Sequence, residues 1–492
     1  MQSDTTINKF LKRATGGKVP NPKTMLKPSL LFRLLKDPYG VYLDYHGPQE
    51  EALDETTRYD RIRMKGGESF ENEWVRENYP GAVHIADYGL DGLRQTVEAL
   101  CLGVPAIHHP QLWALSHDTY GQGDLLVRCD DAPSDLGPFH YRVKECKKSA
   151  SLQEYMKLQG AMYDRMLARI QGYRPKSYEV VLPAGEETVL GADMEDDLRN
   201  IMELWKDIRD GTDRPELPGY DDVGSPWRIY ANKQLAARKD VTIMAGFTAR
   251  VRRKLQDELG VTDLDGLARL DQADFDRVFN GDSAVRHYWQ VRSFLEKRPI
   301  VLPGAQVALP RRSRTIYLDF ETSDGLCPLG EPPHAYMIGA LEDSKYRPFV
   351  ACGAEEEEQM FLKFLEYLGD PREAHLYHWT GYEVGVLTKA AERHPKLADR
   401  LRAVADACVD LYTITKESVV FPVSSYSLKD VAPALGFCWR QTDVAAMSSM
   451  VLYWEWLDGG ADQKIKKVLT YNEDDVKALQ VVDAALSQLA GN

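Results

Sequence analysis

The sequence predicts an α/β protein in which two sheet-containing domains flank a helical middle region. Two strand patterns carry this prediction, YRVKECKK at residues 141–148 and RTIYLDFET at residues 314–322, because charged and apolar side chains alternate in both. Alternation of this kind places every second side chain on one face of a strand. The chain of 492 residues is long enough for about three domains.

Composition and charge limit the classes of protein to which the chain can belong. Its 43% hydrophobic and 28% charged content is ordinary for a globular protein. Neither a membrane span nor a signal peptide is indicated, and we expect a cytoplasmic protein without membrane partners. The net charge of −14 means that any nucleic-acid-binding surface must be a local basic patch. The seven cysteines contain no C-x-x-C pair, which argues against a zinc ribbon and a disulfide framework.

The stretch from residue 121 to residue 163 contains the first candidate site. Glu145 and Lys147 point to one face of the predicted strand, and Asp124 closes a glycine-rich turn before an apolar run. Two converging carboxylates can hold Mg²⁺, and an adjacent lysine can orient or activate a water that attacks a phosphate. For the Glu-x-Lys tripeptide alone, the alternative is a surface strand with an ordinary ion pair.

A helix follows this strand, and three of its residues share one face. Tyr155, Gln159 and Tyr163 stand four apart, so this face can meet a nucleic-acid backbone beside the site. The order and spacing of the whole set resemble the RecB-like branch of the PD-(D/E)xK nucleases. The resemblance implies a restriction-endonuclease-like core over residues 28–185. It also implies these roles: Asp124 and Glu145 as metal ligands, Lys147 as the catalytic lysine, and Gln159 with Tyr163 as the helix motif.

Other residues of this region are candidate ligands or structural residues. Glu71 and His84 lie where the family supplies further metal ligands, although a solvated or structural role is the alternative for each. His108 and His109 have no partner at metal-ligand spacing, so we interpret them as structural. Relatives often carry an iron–sulfur cluster, but Asp37 stands in place of one of its cysteines. Residues 225–246 also lack cysteine, so no cluster is expected.

The remaining N-terminal and central segments are predicted to be an arm and a helical linker. Residues 1–27 lack periodicity and read as a flexible arm, whereas residues 186–300 read as helical. Within the latter, a basic helix, a Gly-Val turn and a second helix resemble a helix-hairpin-helix module, with a plain helical pair as the alternative. The basic residues that we expect to meet phosphates are Arg250, Arg252, Arg253 and Lys254.

The second candidate site lies in residues 305–492. Asp319 and Glu321 share a face of the predicted strand, and Tyr471 and Asp475 stand one helical turn apart far downstream. These motifs resemble the DEDD exonucleases of the RNase H-like superfamily. The resemblance implies that Asp319, Glu321 and Asp475 bind metal and that Tyr471 positions the attacking water.

The second motif of that family is altered in this chain. His378 and Glu383 replace the usual asparagine and aspartate, which lengthens one ligand arm by a methylene. We therefore expect the C-terminal site to bind metal but to be catalytically weaker than the N-terminal site. Asp410 and Lys429 are expected to support the ligands.

These patterns together predict a DNA nuclease that depends on Mg²⁺ or Mn²⁺ and is an exonuclease acting in DNA processing, repair, phage or defence contexts. No G-x-x-x-x-G-K-S/T motif is present, so a helicase or other complex subunits would be separate partners. One alternative is a nucleic-acid-binding or structural subunit with degenerate nuclease sites. Another is an RNA 3′ exonuclease that uses the C-terminal domain.

Overall fold

The computed structural model describes residues 4–19, 21, 24–310, 313–441 and 446–491. The chain divides into a first unit of residues 1–55, 63–218 and 222–230 and a second unit of residues 56–62, 219–221 and 231–492. None of the helices in the described ranges combines the length and the apolar character that crossing a membrane requires.

The helices of the described chain fall into an N-terminal and a C-terminal series. Up to residue 237 they are α1 Asp4–Thr15, α2 Leu31–Lys36, α3 Pro38–His46, α4 Arg58–Asn78, α5 Gly89–Leu102, α6 Glu154–Gln171, α7 Glu195–Asp210 and α8 Arg228–Ala237. Beyond it they are α9 Ala249–Leu259, α10 Leu264–Leu267, α11 Gln272–Val278, α12 Asp282–Glu296, α13 Glu357–Leu368, α14 Tyr382–Arg393, α15 Ala398–Ala407, α16 Leu411–Ser418, α17 Leu428–Ala434, α18 Ala446–Leu457 and α19 Gln463–Ala490.

The strands of the described chain form two larger sheets and two small ones. Before residue 200 they are β1 Val83–His84, β2 Ala106–His108, β3 Gln111–Ala114, β4 Thr119–Gln122, β5 Leu125–Cys129, β6 His140–Cys146, β7 Ser177–Leu182 and β8 Gly185–Leu190. After it they are β9 Ile300–Val301, β10 Arg314–Ser323, β11 His334–Glu342, β12 Lys345–Val350, β13 Ala374–His378, β14 Cys408–Asp410 and β15 Val419–Val420.

A six-stranded mixed sheet of order β1-β2-β5-β6-β7-β8 forms the centre of the first unit. The pairs β1–β2 and β6–β7 are parallel and the other neighbours are antiparallel. Helix α6 packs on β6 and β7 and buries an apolar face that includes Leu158, Met162 and Met166. The sheet and this helix therefore hold the strand that carries Glu145 in a fixed position.

The N-terminal segment differs from the predicted flexible arm. Residues 4–15 form α1, and Phe10, Leu11 and Ala14 are buried in the core of the first unit while Ile7 packs against it. These four positions follow the i, i+3, i+4, i+7 spacing of one helix face. The prediction of an unstructured arm is wrong for this helix because the short apolar stripe is diluted by lysine and threonine.

The first unit also extends past the predicted boundary at residue 185. Strand β8 pairs with β7 along its whole length, and α7 buries Leu198, Ile201 and Trp205 in the same core. The acidic run that suggested a linker is the solvated face of this amphipathic helix. Residues 186–210 thus belong to the first unit, which corrects the predicted boundary.

The second unit is built on a five-stranded sheet of order β12-β11-β10-β13-β14. The pairs β12–β11 and β11–β10 are antiparallel, whereas β10–β13 and β13–β14 are parallel. Strand β10 lies at the centre, and α19 packs against both β10 and β11. This arrangement brings a helix from the end of the chain beside a strand that precedes it by about 150 residues.

Residues 231–300, which the sequence predicts as part of a linker, belong to the second unit. Helices α9, α11 and α12 enclose a small apolar core around Leu255, Phe275 and Val291. Thr248 caps the start of α9, and Gly260 ends the helix in a left-handed conformation with φ 68°. The amide of Gln290 on α12 donates to the carbonyl of Phe421 at 2.6 Å, which ties this helical region to the rest of the unit.

Candidate active sites

The first candidate site lies at the end of two neighbouring strands of the first unit. Asp124 directly precedes β5, Glu145 is near the end of β6, and Lys147 follows that strand. The Lys147 Nζ lies 3.0 Å from Asp124 Oδ2 and 2.9 Å from Glu145 Oε2. The backbone N–H of Cys146 also donates to Asp124 Oδ2, at 2.8 Å. The structure thus brings the three predicted residues into direct contact.

Burial shifts the protonation of this group strongly. Glu145 is only 1% exposed, and burial followed by the charge of Asp124 raises its pKa to about 8. Burial raises the pKa of Asp124 as well. Burial by itself would lower the pKa of Lys147, but the charges of Asp124 and Glu145 outweigh it and hold that pKa well above its ordinary value. Lys147 is therefore a cation under ordinary conditions.

The predicted nucleic-acid face of α6 makes contacts inside the protein. Tyr163 is buried, and its hydroxyl donates to the carbonyl of Gln122 at 2.5 Å. The amide of Gln159 donates to the carbonyl of Pro28 at 3.1 Å, and the ring of Tyr155 meets that of Phe32 edge-on at 5.0 Å. The Tyr163 contact holds the backbone that leads to Asp124, whereas Gln159 and Tyr155 contact residues 28 and 32. Contact of this face with nucleic acid stays a prediction.

A cluster of three histidines and one glutamate lies beside Asp124. His84 and His108 are cross-strand neighbours on β1 and β2, and their Nδ1 atoms are 3.3 Å apart. Glu71 Oε1 on α4 lies 3.1 Å from His108 Nε2 and 2.7 Å from His109 Nε2. Burial would raise the pKa of Glu71, but the hydrogen bonds from His108 and His109 lower it to about 2. The sequence could not place these residues together, because they come from a helix and two strands.

Asp37, the residue in place of a cluster cysteine, has a helix-capping role. Its carboxylate accepts from the backbone N–H of Gly40 at 2.8 Å and of Gly224 at 3.0 Å. The first contact caps the start of α3, and the second fixes the segment that precedes residue 225. Asp37 therefore joins the start of α3 to the segment around residue 224.

The four basic residues on α9 have different environments. Arg250, Arg253 and Lys254 are exposed. Arg252 is only 6% exposed, and its Nη1 lies 3.0 Å from Asp240 Oδ2. The prediction that Arg252 meets phosphate is wrong, because its guanidinium is buried against a carboxylate of its own unit. The other three remain candidates for nucleic-acid binding.

The second candidate site lies between the central strand and the last helix of the second unit. Asp319 and Glu321 project from one face of β10, and Asp475 projects from α19. One carboxylate oxygen from each residue lies within 4.8 Å of the other two. The site thus joins the first and third motifs that the sequence analysis identified.

Mainly neutral groups surround the three carboxylates. Asn472 Nδ2 donates to Asp319 Oδ2 at 2.7 Å, and Ser449 Oγ donates to Glu321 Oε2 at 2.9 Å. Asp475 is the exception, because Lys429 Nζ lies 2.9 Å from its Oδ1. Lys429 was expected to support the ligands, whereas the roles of Asn472 and Ser449 were not predicted. Asn472 follows Tyr471 in the third motif, which is the only sequence signal that pointed to it.

The crowding of three carboxylates raises their pKa values. Burial, followed by the charges of Asp475 and Glu321, holds the pKa of Asp319 well above its ordinary value. Burial and then Asp475 raise the pKa of Glu321 to about 8, and burial raises that of Asp475. Such a group must bind either protons or a cation. Asp319 and Glu321 accept from neutral donors and Asp475 contacts Lys429, and this cluster of three carboxylates fits a Mg²⁺ or Mn²⁺ ion.

The second motif lies close to this group, but its carboxylate contacts a histidine of the same motif. Glu383 is buried at the start of α14, and its Oε2 lies 3.2 Å from His378 Nδ1. Among the described residues, the clustered carboxylates are the three named above, and Glu383 is not one of them. Tyr471 is buried beside Asp475, with Lys429 Nζ 4.0 Å from its ring centroid. Asp410 caps α16 through the N–H of Tyr412 and also accepts from the N–H of Thr380.

Comparison with known proteins identifies part of the chain. A family model of the RNase_H superfamily, RNase_H_2, matches residues 316–487. This range covers most of β10 and of α19 and contains the three clustered carboxylates. No curated protein matches the chain. The match supports a nuclease-type activity, and nucleases of this superfamily generally use divalent metals. Residues 316–487 therefore form an RNase H-like domain.

Proposed function

We propose that the chain is a metal-dependent DNA nuclease whose principal hydrolytic site is that of the first unit, a PD-(D/E)xK site of the RecB-like type. The observation that carries the proposal is the contact of Lys147 Nζ with both Asp124 and Glu145. A half-buried lysine that contacts two carboxylates at one edge of the sheet supplies a fixed cation beside the metal ligands.

The side chains of this site have separable roles in hydrolysis. Asp124 and Glu145 would hold a divalent ion, which would polarise the scissile phosphate and lower the pKa of a bound water. Lys147 remains protonated, so it orients the water and stabilises negative charge and does not act as a general base. Burial raises the pKa of Glu145 to about 8, so this carboxyl must release its proton before it can hold the ion. Tyr163 keeps the backbone before Asp124 in place through Gln122.

We further propose that local basic groups of this chain bind DNA and that a partner protein delivers it. The exposed residues Arg250, Arg253 and Lys254 supply positive charge on a chain whose net charge is −14. Because the sequence has no phosphate-binding motif of a motor, a helicase or another complex subunit would have to unwind duplex substrates.

A second candidate function is that of an RNA 3′ exonuclease that uses the C-terminal site. The observation that favours it is the cluster of Asp319, Glu321 and Asp475 inside the RNase H-like domain. The extra methylene of Glu383 favours a lower catalytic rate at this site, because a misplacement of a ligand by about 1 Å can lower the rate by on the order of a hundredfold.

Cleavage of end-labelled DNA and RNA with Mg²⁺ or Mn²⁺ tests the principal proposal. Lys147→Ala should lower the rate by at least about 100-fold while DNA binding is largely retained, because Lys147 acts on the reacting water. The matched control is Lys144→Ala, since Lys144 is on the same strand but pairs with Glu186 at 2.5 Å. Full activity of Lys147→Ala and of Glu145→Ala would contradict the proposal. RNA cleavage that survives in both variants but is lost in Asp319→Asn would favour the second candidate.

A further inference from the structure

The histidine cluster of the first unit has the arrangement of a transition-metal site. His84, His108 and His109 each offer one ring nitrogen, and these nitrogens lie within 4.8 Å of one another. Imidazole nitrogen suits zinc and similar transition metals, whereas Mg²⁺ prefers oxygen. This set of donors therefore differs in chemistry from the carboxylates of Asp124 and Glu145.

The spacing of two of these nitrogens fits ligands of a single ion. His84 Nδ1 and His108 Nδ1 are 3.3 Å apart. Two nitrogens bound to one tetrahedral zinc at about 2.0–2.1 Å are separated by about 3.4 Å. The parallel register of β1 and β2, which pairs His84 with His108, fixes this distance.

Glu71 determines which nitrogens are free to bind an ion. One oxygen of this carboxylate contacts the Nε2 atoms of both His108 and His109. An ionised carboxylate only accepts hydrogen bonds, so we assign the protons to both Nε2 atoms and the lone pairs to Nδ1. Metal-bound histidines commonly donate their second N–H to a carboxylate in this way, which fixes the ring orientation.

The backbone at His109 also serves this arrangement. Consecutive residues of a strand normally point to opposite faces, but the rings of His108 and His109 lie with centroids 4.0 Å apart. A left-handed conformation at His109, with φ 59°, accompanies this placement.

We propose that His84, His108 and His109, oriented by Glu71, bind one zinc-like transition-metal ion and leave its fourth position open. This site goes beyond the nuclease proposal, because its donor set is separate from Asp124, Glu145 and Lys147. The rival explanation is a metal-free chain of hydrogen bonds that runs from His84 through His108 to Glu71.

Metal binding by the full chain distinguishes the two explanations. Chelator-treated protein is dialysed against Zn²⁺ in the presence of excess Mg²⁺, and bound zinc is measured by mass spectrometry. Co²⁺ replaces Zn²⁺ in a second arm so that visible absorption reports tetrahedral coordination. We expect about one ion per chain that Mg²⁺ does not displace. Zinc binding no higher than background, or a Co²⁺ spectrum without tetrahedral bands, would overturn the proposal.

Variants locate the ion and keep the test independent of nuclease activity. His84→Ala, His108→Ala and His109→Ala should each weaken binding by at least about 100-fold, and Glu71→Gln by about 10- to 100-fold. His84 is exposed, so its variant remains informative if the buried His108→Ala fails to fold. The exposed His117 provides the control His117→Ala, which should bind normally.

Two further variants test competing locations. The double variant Asp124→Asn, Glu145→Gln should retain the ion even though it removes the proposed nuclease ligands, and loss of binding in it would overturn the separate site. Cys129, Asp131 and His140 form another group of possible ligands in the first unit. Zinc that is lost in Cys129→Ser but kept in His84→Ala would likewise contradict the assignment.

Discussion

The two candidate active sites place buried carboxylates beside the central strands of their sheets, but they neutralise them differently. In the first unit one lysine contacts both carboxylates, at 3.0 and 2.9 Å. In the described part of the second unit, Lys429 contacts Asp475, one of the three carboxylates. Asp319 and Glu321 receive hydrogen bonds from uncharged groups instead.

This difference affects how each site responds to metal and protons. The positive charge of Lys147 partly neutralises Asp124 and Glu145 before any ion binds. The pKa values of Glu145 and Glu321 are both raised to about 8, so ion binding at either site must release protons and should strengthen as pH rises. The dependence should be steeper at the C-terminal site, where Lys429 contacts one of three carboxylates. We infer that the first site is organised for catalysis in advance, whereas the second depends on its ion for organisation.

The largest effect is expected when a central carboxylate of the C-terminal site is neutralised. In a Lys147→Ala background, Asp319→Asn should lower the remaining cleavage by at least about 100-fold, because Asp319 lies within the three-carboxylate cluster. The rate is measured on end-labelled DNA and RNA. Asp399→Asn, at an exposed position of α15 outside the cluster, is the control. Unchanged cleavage after Asp319→Asn would mean that the second site contributes no hydrolysis.

The pH dependence of the unfolding free energy reports the proton that Glu321 holds in the folded protein. The folded-state pKa of Glu321 is about 8, above its ordinary value of 4.5, so the folded protein retains a proton that the unfolded chain releases. The stability from this proton is full below about pH 4.5 and is lost as pH rises towards 8. In metal-free protein, Glu321→Gln should reduce the fall in unfolding free energy between pH 5 and pH 8 by about 2 kcal/mol.

Urea unfolding across this pH range, with chelator present, measures the change. Glu366→Gln, at an exposed position of α13, should leave the pH profile unchanged. A Glu321→Gln profile that coincides with wild type would show that Glu321 does not hold the proton.

The Tyr163 contact tests how the first site is held. Tyr163→Phe removes the hydroxyl that donates to the carbonyl of Gln122 at 2.5 Å, and it should lower the unfolding free energy by about 1–2 kcal/mol. Cleavage should fall in the same variant, because Gln122 leads directly into Asp124. The control is Tyr155→Phe on the same helix face, whose ring contact with Phe32 persists. Equal stability of the two variants would contradict the positioning role.

The smallest expected effect concerns the altered motif. Glu383 contacts His378, and its charge also reaches Asp319. Glu383→Asp shortens the arm by one methylene, weakens the contact with His378 and should raise C-terminal turnover about threefold in the Lys147→Ala background. A lower turnover would instead identify Glu383 as the ligand for which this site is built.

The sequence predicted the α/β class and the residues that meet in both sites, because strand alternation places carboxylates on one face without knowledge of the fold. Asp124, Glu145 and Lys147 lie within 24 residues of one another, so local spacing was informative. The RNase H-like domain could also be predicted, since its first and third motifs are both distinctive.

Long-range contacts account for what the sequence did not predict. The histidine cluster joins Glu71, His84 and His108 from separate elements, and Arg252 is buried because Asp240 lies beside it. The faces of two helices were also ambiguous: α1 packs into the core, and Tyr163 on α6 supports the backbone before Asp124. In each case the role of the residue depends on its contact partner in the folded chain, and local sequence spacing does not identify that partner.

The measurement that tests the central claim most directly is a two-by-two comparison of Glu145→Gln and Asp319→Asn, singly and together, in cleavage of end-labelled DNA with Mg²⁺. We predict that Glu145→Gln lowers the rate by at least about 100-fold, that Asp319→Asn retains most of it, and that the double variant is inactive. A large loss in Asp319→Asn with normal cleavage by Glu145→Gln would contradict the account, and so would wild-type cleavage by the double variant.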